Sequence, residues 1–545
     1  MSKIQNAAFG SALLALLLQS VVLPVFSAAG NIVDTGYAQY RGNLTFPNTV
    51  AYLGIPYAEP PLGELRFRAP LPLNTTRVAA EAGDKAIDAT TYPDFCVQGS
   101  TGGGDAGGAG SEDCLKVNIY APVGAKKGGD LPVLVYIHGG GYFFGNPANW
   151  PFDHWIHQSP NVVIVSVYYR LDAIGFLSIP EFSNPVNGDH NAGFSDQIQA
   201  LKWVNEHISA FGGNPQAVTI NGESAGGASV ELHLVANTEQ NLFRGVIAQS
   251  VYRTPLATPE QRVPQFQLFA SKAGCGTGSV TSQLACLRSA SISALARAQD
   301  FVVSNIAGYH LFQPVVDEKI FTDFPTRQLT NGKFKDVPVI VGSTTNETLA
   351  GGPTIAAALQ GYFPSMSNET AAAFVAKYPI SEFASTALQV QVATGEPSVV
   401  CGRHIIASAV AKRNRAWTYR YNQPNPTSGG SGTAHAAENW MMFRGINTGF
   451  NGTGVLTPMT PIETAFAEEL IAYWLSFVRS GNPNTFKLAR SPLWSPFTNS
   501  AKSRIVLQED QHNITTQSGS FLETESALES QRCSFAADQV VAQQN

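Results

Sequence analysis

The chain has 545 residues, 44% of them apolar and 14% charged, so a large core is available and wholesale disorder is excluded. A formal net charge of −6 with scattered basic residues leaves no electrostatic footprint for nucleic acid or an anionic membrane. The longest basic cluster, AKRNR at 411–415, reads as a solvated helix face.

Residues 1–28 read as a cleaved signal peptide. Lys3 is followed by the apolar SALLALLLQSVVLPVF and then by the small residues SAAG at 27–30. The apolar run contains Gln19 and Pro24 and falls short of the ~20 residues a membrane span needs. The tail VAQQN carries neither a retrieval sequence nor a lipid-anchor signal. The expectation is one secreted, extracellular domain over 29–545, without a membrane anchor. Asn-x-Ser/Thr sequons at Asn43, Asn74, Asn368, Asn451 and Asn513 are glycosylation candidates for an exported chain; a sixth at Asn346 is the least suited to a glycan, for a reason given below. Six cysteines, Cys96, Cys114, Cys275, Cys286, Cys401 and Cys533, make an even set without a Cys-x-x-Cys. That pattern speaks against zinc, but six cysteines allow fifteen connectivities and spacing selects none of them.

Further along the chain, short β-branched runs recur: LPVLVYIHGG, VVIVSVYYRL, AVTINGES, RGVIAQS, VPVIVG and AWTYRYNQ. They lack polar alternation, as strands buried on both faces of a parallel sheet do. Helical stretches lie between them, such as FSDQIQALKWVNEHISAF, where Ile198, Leu201, Val204 and Ile208 recur at helical spacing. Alternating strand and helix predicts an α/β fold with a mostly parallel central sheet. The one low-complexity stretch, GSTGGGDAGGAGSED at 99–113, forms no domain boundary.

Within this order, VTINGESAGGASVELHL places Ser224 between Gly222 and Gly226 where a strand gives way to a helix. A Gly-x-Ser-x-Gly pentapeptide is weak evidence in a chain with 50 glycines, but the strand–turn–helix setting is that of a nucleophile elbow. The helix N-terminus behind it favours an oxyanion. A serine nucleophile needs a base, and a carboxylate to hold that base. His404 falls inside a helical run and His512 in a polar tail, whereas His435 stands in a glycine-rich loop directly after AWTYRYN. The end of a strand is where α/β sheets collect functional groups. Glu347 follows VPVIVG in the same way and is the candidate acid, with Asp317 as competitor; a glycan on Asn346 would sit beside it. The run His138, Gly139, Gly140, Gly141 after LPVLVY lets backbone amides approach a substrate oxygen.

These residues identify a resemblance to the type-B carboxylesterase/lipase family, which includes cholinesterases and fungal secreted lipases. It is carried by GIPYAEPPLGELRF, SEDCLKVNIY, VSVYYRLDAIGFLS, DQIQALKWVNEHISAFGGNP and GESAGGAS, and it covers essentially the whole mature chain. The resemblance implies an α/β-hydrolase fold and a serine esterase without a cofactor or metal. It implies Ser224 as nucleophile, Glu347 as acid and His435 as base, with an oxyanion hole from Gly140, Gly141 and the Ala225 amide. It also implies disulfides Cys96–Cys114, Cys275–Cys286 and Cys401–Cys533, and ion pairs Arg66–Glu112 and Arg170–Asp196 of structural purpose. The chain departs from the family at QSVYRTP, where Val251 and Tyr252 replace a serine–glycine step, and at Tyr168, where an asparagine is usual. The seventeen residues between Cys96 and Cys114 hold no aromatic, against choline specificity and against a long lid.

The expected activity is hydrolysis of short- to medium-chain or small aromatic esters through an acyl-enzyme. A true lipase for long-chain acylglycerols and a silent adhesion homologue are the alternatives. The expected partner is a small-molecule ester, with no nucleic acid and no stable membrane anchor. Aromatic and sulfur side chains in GYFFG, Trp150, Trp155, Phe312, Trp440, Met441 and Met442 are candidates for either the pocket or the core.

Overall fold

The computed structural model describes residues 31–98, 110–238, 241–424, 432–448 and 454–545. The expected signal peptide, the sequon at Asn451 and most of the 99–113 stretch lie outside them.

The strands in chain order are β1 (Ile32–Asp34), β2 (Gln39–Phe46), β3 (Thr49–Pro56), β4 (Ile87–Ala89), β5 (Lys116–Pro122), β6 (Leu131–Ile137), β7 (Val163–Val167), β8 (Gly213–Glu223), β9 (Gly245–Gln249), β10 (Val339–Thr344), β11 (Ala416–Tyr421), β12 (Ile446–Thr448), β13 (Gly454–Leu456), β14 (Ser503–Leu507) and β15 (Phe521–Thr524). Among the described residues one sheet runs β1-β2-β3-β5-β7-β6-β8-β9-β10-β11-β14-β15, with β4 beside β2 and a separate β12–β13 hairpin. Every pairing from β7 to β14 is parallel. The six apolar runs read from the sequence are β6 to β11. In the antiparallel flank of β1, β2, β3 and β5, β2 alternates exposed and less exposed residues, whereas β3 and β5 are buried along most of their length.

The parallel strands bury both faces because side chains alternate across the sheet. Val133, Val135 and Ile137 enter one core, while Leu134 and Tyr136 enter the other. Val339 and Val341 likewise oppose Ile340. Each such side chain contributes roughly 1.5–3 kcal/mol by leaving water, which fixes register: a slip of one residue would exchange the two cores. The helix Pro461–Ser480 closes the second core. It starts at a capping box, in which the Thr460 hydroxyl accepts from the Glu463 amide and the Glu463 carboxylate accepts from Thr460, and it stops at Gly481 with φ +66°.

Cys96–Cys114, Cys275–Cys286 and Cys401–Cys533 are bonded. The third links the helix Cys401–Val410 to the helix Ala527–Asp538 across 132 residues of sequence. The cluster at 411–415 corrects its sequence reading: the helix ends at Val410, and these residues form an exposed turn leading into β11. Among the described residues no helix is long and apolar enough to cross a membrane.

Candidate active site

Parallel pairing aligns the C-terminal ends of β8, β9, β10 and β11. Glu223 stands beside Gln249, Gln249 beside Gly342, and Thr344 beside Tyr421. The loops that follow β8, β10 and β11 therefore leave the same rim, and they carry Ser224, Glu347 and His435.

Ser224 sits at φ +57°, ψ −120°, between the last residue of β8 and the helix Ala225–Val235. A serine in that conformation costs roughly 1–3 kcal/mol, held in place by its surroundings. The glycines explain how the turn closes. A Cβ on Gly222 would lie 2.4 Å from the Gly226 carbonyl carbon, and one on Gly226 would lie 2.0 Å from the Ile137 oxygen. The Ser224 amide donates to Gln249 O at 3.0 Å, which ties the elbow to β9.

The three side chains form a continuous chain. Ser224 Oγ and His435 Nε2 are 2.7 Å apart, and His435 Nδ1 is 2.6 Å from Glu347 Oε2. Glu347 Oε1 accepts from the Thr344 amide at 2.8 Å. Burial opposes charge on the imidazole, but the facing carboxylates of Glu347 and Glu223 outweigh it and raise the His435 pKa. Burial pushes the Glu347 carboxyl up; the imidazole and its hydrogen bonds win and lower it. Such an arrangement can take a proton from the hydroxyl and hold the resulting imidazolium.

The rival candidates are occupied elsewhere. Asp317 accepts from Asn191 Nδ2 at 2.8 Å and from the amides of Lys319, Ile320 and Phe321, so it shapes a turn. His404 Nδ1 meets Glu525 Oε1 at 2.7 Å, and His512 is exposed. Gly140 at φ +101° and Gly141 at φ +63° line the cavity with Ser224, and Ala225 opens the helix behind it. His138 does not face the cavity; it stacks on Tyr169 at 4.5 Å, and burial lowers its pKa to about 4.

Reading the sequence missed a second set of carboxyls around the base. Glu223 Oε1 is buried without a hydrogen-bond partner and lies 3.3 Å from His435 Nε2. Its other oxygen accepts from Asn439 Nδ2 at 3.0 Å. Burial, reinforced by Glu438 and Glu347, lifts Glu223 to about 8 against the pull of His435. Glu438 is likewise lifted, by burial and then by Glu347, while its Oε1 accepts from Tyr419 OH at 3.2 Å and from Ser250 Oγ at 3.4 Å. Glu347 is therefore the carboxyl held towards its charged form at the imidazole, while burial pushes the two carboxyls behind it towards their protonated forms. Two signals are present in the sequence: Glu223 is the one carboxyl in β8 and directly precedes Ser224, and Glu438 follows His435 at i+3.

The cavity over Ser224 is about 740 Å³, within the range of small-molecule sites. Phe143, Phe144 and Trp150 line it on the oxyanion-loop side, and Tyr252, Tyr309 and Tyr362 stand elsewhere in its wall. Trp155, Phe312, Trp440, Met441 and Met442 belong to the cores instead. Tyr252, at the departure in QSVYRTP, donates its amide to Ser224 O at 3.2 Å, and its ring meets Tyr362 edge-on at 5.6 Å. Arg66–Glu112 and Arg170–Asp196 are formed, each with a 2.6 Å contact, away from the cavity lining. Of the sequons, Asn43, Asn74, Asn368 and Asn513 are exposed and Asn346 is half-buried. No cluster of metal-binding side chains occurs among the described residues.

A sequence model of the carboxylesterase family matches residues 29–536. Acetylcholinesterase of Bungarus fasciatus is 31% identical, over 96% of this chain and 88% of that protein. Cocaine esterase of Oryctolagus cuniculus is 30% identical, over 86% of this chain and 91% of that protein. The crystal structure of Aspergillus niger EstA superposes with a TM-score of 0.82 at 28% identity, covering 95% of this chain and all of that one. The chain belongs to the type-B carboxylesterase family, with its α/β-hydrolase fold, and is a carboxylic ester hydrolase.

Proposed function

We propose that the protein hydrolyses uncharged carboxylic esters with short- to medium-chain or small aromatic groups through an acyl-enzyme on Ser224. The observation that carries the reading is the unbroken hydrogen-bond chain from Ser224 Oγ through His435 to Glu347. Ser224 Oγ attacks the ester carbonyl while His435 Nε2 takes its proton. The imidazolium then protonates the leaving alcohol, and water repeats the sequence to release the acid. Glu347 holds the imidazole tautomer, and the amides of Gly140, Gly141 and Ala225 receive the oxyanion, each such donor being worth ~10²–10³ in turnover. No cofactor takes part in these steps.

The preference for uncharged esters follows from the lining. Among the described residues its one carboxyl, Glu223, is lifted by burial, no lysine or arginine lines it, and most of the wall is aromatic, aliphatic or glycine. The loop between Cys96 and Cys114 offers no aromatic ring for a quaternary ammonium. Three disulfides and four exposed sequons support export and glycosylation, with cleavage near residue 28.

The purified protein is expected to react with a fluorophosphonate at Ser224 and to turn over p-nitrophenyl acetate and butyrate faster than the palmitate. An unlabelled Ser224 refutes the mechanism. A steep rate jump on emulsified long-chain triglyceride refutes the substrate class in favour of a lipase. N-terminal sequencing of the exported protein checks the cleavage site.

A further inference from the structure

We infer that Asn346 is a positioning residue for the base, clamping the loop that carries His435 to the loop that carries Glu347; this rests on the serine-esterase reading above. Asn346 precedes Glu347, and Thr433 stands two residues before His435. The Thr433 amide donates to Asn346 Oδ1 at 2.7 Å, and the Asn346 amide donates to Thr433 O at 3.0 Å. Together the bonds close a ring between segments 87 residues apart in sequence.

The Asn346 side of the ring is fixed independently. Asn346 O accepts from Gln391 Nε2 at 3.3 Å, and the Thr345 amide donates to Tyr421 O at 2.9 Å at the end of β11. The segment held is therefore 432–435. Its glycine fits that purpose: a Cβ on Gly432 would stand 3.1 Å from Asn346 Oδ1, tighter than ordinary contact. Thr433 is 3% exposed, so water does not readily replace the acceptor. An asparagine suits the place because its short side chain supplies an acceptor back towards the neighbouring loop, as it does in Asx turns. The same engagement accounts for a half-buried sequon at Asn346 beside four exposed ones.

The consequence is kinetic. Without the clamp the imidazole loses its fixed place between Ser224 and Glu347, and a displacement of about 1 Å costs on the order of 10²-fold. Three carboxyl groups face His435: Glu347 from the loop after β10, Glu223 from the end of β8 and Glu438 from the helix Ala437–Met442. A looser contact with Glu347, the charged one, moves the acid limb of the pH profile to lower pH.

The test uses the full-length protein and p-nitrophenyl acetate. Asn346→Ala is expected to lower kcat about 10- to 100-fold, to leave KM within about twofold and to shift the acid limb of kcat/KM downward. Asn346→Asp, which keeps an acceptor at Oδ1, should recover most of kcat. Thr348→Val deletes the sequon without touching the clamp and should match wild type. Gly432→Ala, which crowds the clamp from the opposite side, should reproduce the kcat loss and the pH shift in weaker form, and it serves if Asn346→Ala does not fold. Wild-type kcat and an unmoved acid limb in Asn346→Ala, or in Gly432→Ala where the first is unfolded, overturn the proposal. A loss in Thr348→Val equal to that in Asn346→Ala also overturns it, by assigning the effect to a glycan. A wild-type protein that neither turns over ester nor reacts with fluorophosphonate overturns the esterase reading instead.

Discussion

Two of the buried charged constellations among the described residues behave in opposite ways. At Arg66–Glu112 every guanidinium nitrogen is used. Nε and Nη2 grip the two carboxylate oxygens at 2.6 Å, and Nη1 donates to the carbonyls of Leu287, Arg288 and Ala290. Around His435, three carboxyls share one imidazole, and one buried oxygen, Glu223 Oε1, has no hydrogen-bond partner. Burial acts upward on all three carboxyls and prevails at Glu223 and Glu438, while the imidazole prevails at Glu347. A buried charge that is fully partnered anchors segments distant in sequence. A surplus of carboxyls around a single imidazole displaces the pKa values of the group, the kind of displacement that collects at functional sites.

The sharpest way to break the comparison is at the hydroxyl. Ser224→Ala is expected to lower kcat by roughly 10⁶-fold, with the thermal midpoint almost unchanged, as read by ester turnover beside a melting curve. Retained turnover would place the chemistry elsewhere. Glu347→Gln should cost about 10⁴-fold, because the imidazole loses both its tautomer lock and its counter-charge. The sign of the pH effect follows from the raised His435 pKa. In the wild type the neutral base is lost, and activity with it, as pH falls through a value above the ordinary 6.5 of histidine. Removing the Glu347 charge lowers that pKa, so the acid limb of the residual activity should move to lower pH.

At the structural pair the expected signature is reversed. Arg66→Ala strands the Glu112 carboxylate in a buried setting and should destabilise the fold by about 3–5 kcal/mol. Any protein that folds should keep kcat within about twofold. A selective loss of kcat at full stability would contradict the structural assignment. The smallest effect is expected at Glu223→Gln, on the order of tenfold in kcat, equivalent to about 1.4 kcal/mol. Its acid limb should also move down, because one carboxyl facing the imidazolium is gone. An unmoved limb would show that Glu223 does not sense the base.

Much of this is legible in the sequence. The strands β6 to β11 announce themselves because burial on both faces requires continuous apolar runs. Ser224, Glu347 and His435 could be chosen because each follows such a run, and parallel strands deliver their loops to one rim. The short strands β1, β2 and β4 are less legible, since three to eight residues with exposed positions leave little periodic signal. AKRNR reads as a helix face because helical propensity continues past Val410, whereas in the fold the chain turns there towards β11.

What the sequence by itself determined is therefore local: where strands and turns fall, which serine sits at a turn too tight for a side chain, and which loops follow buried strands. Tertiary structure alone decided how Glu223 and Glu438 converge on His435, how Asn346 meets Thr433, and which aromatics of the 143–155 and 440–442 segments line the cavity rather than the core. The physical reason is that hydrogen-bond partners, desolvation and charge–charge distances depend on what packs against a side chain. Those neighbours come from segments tens to hundreds of residues away.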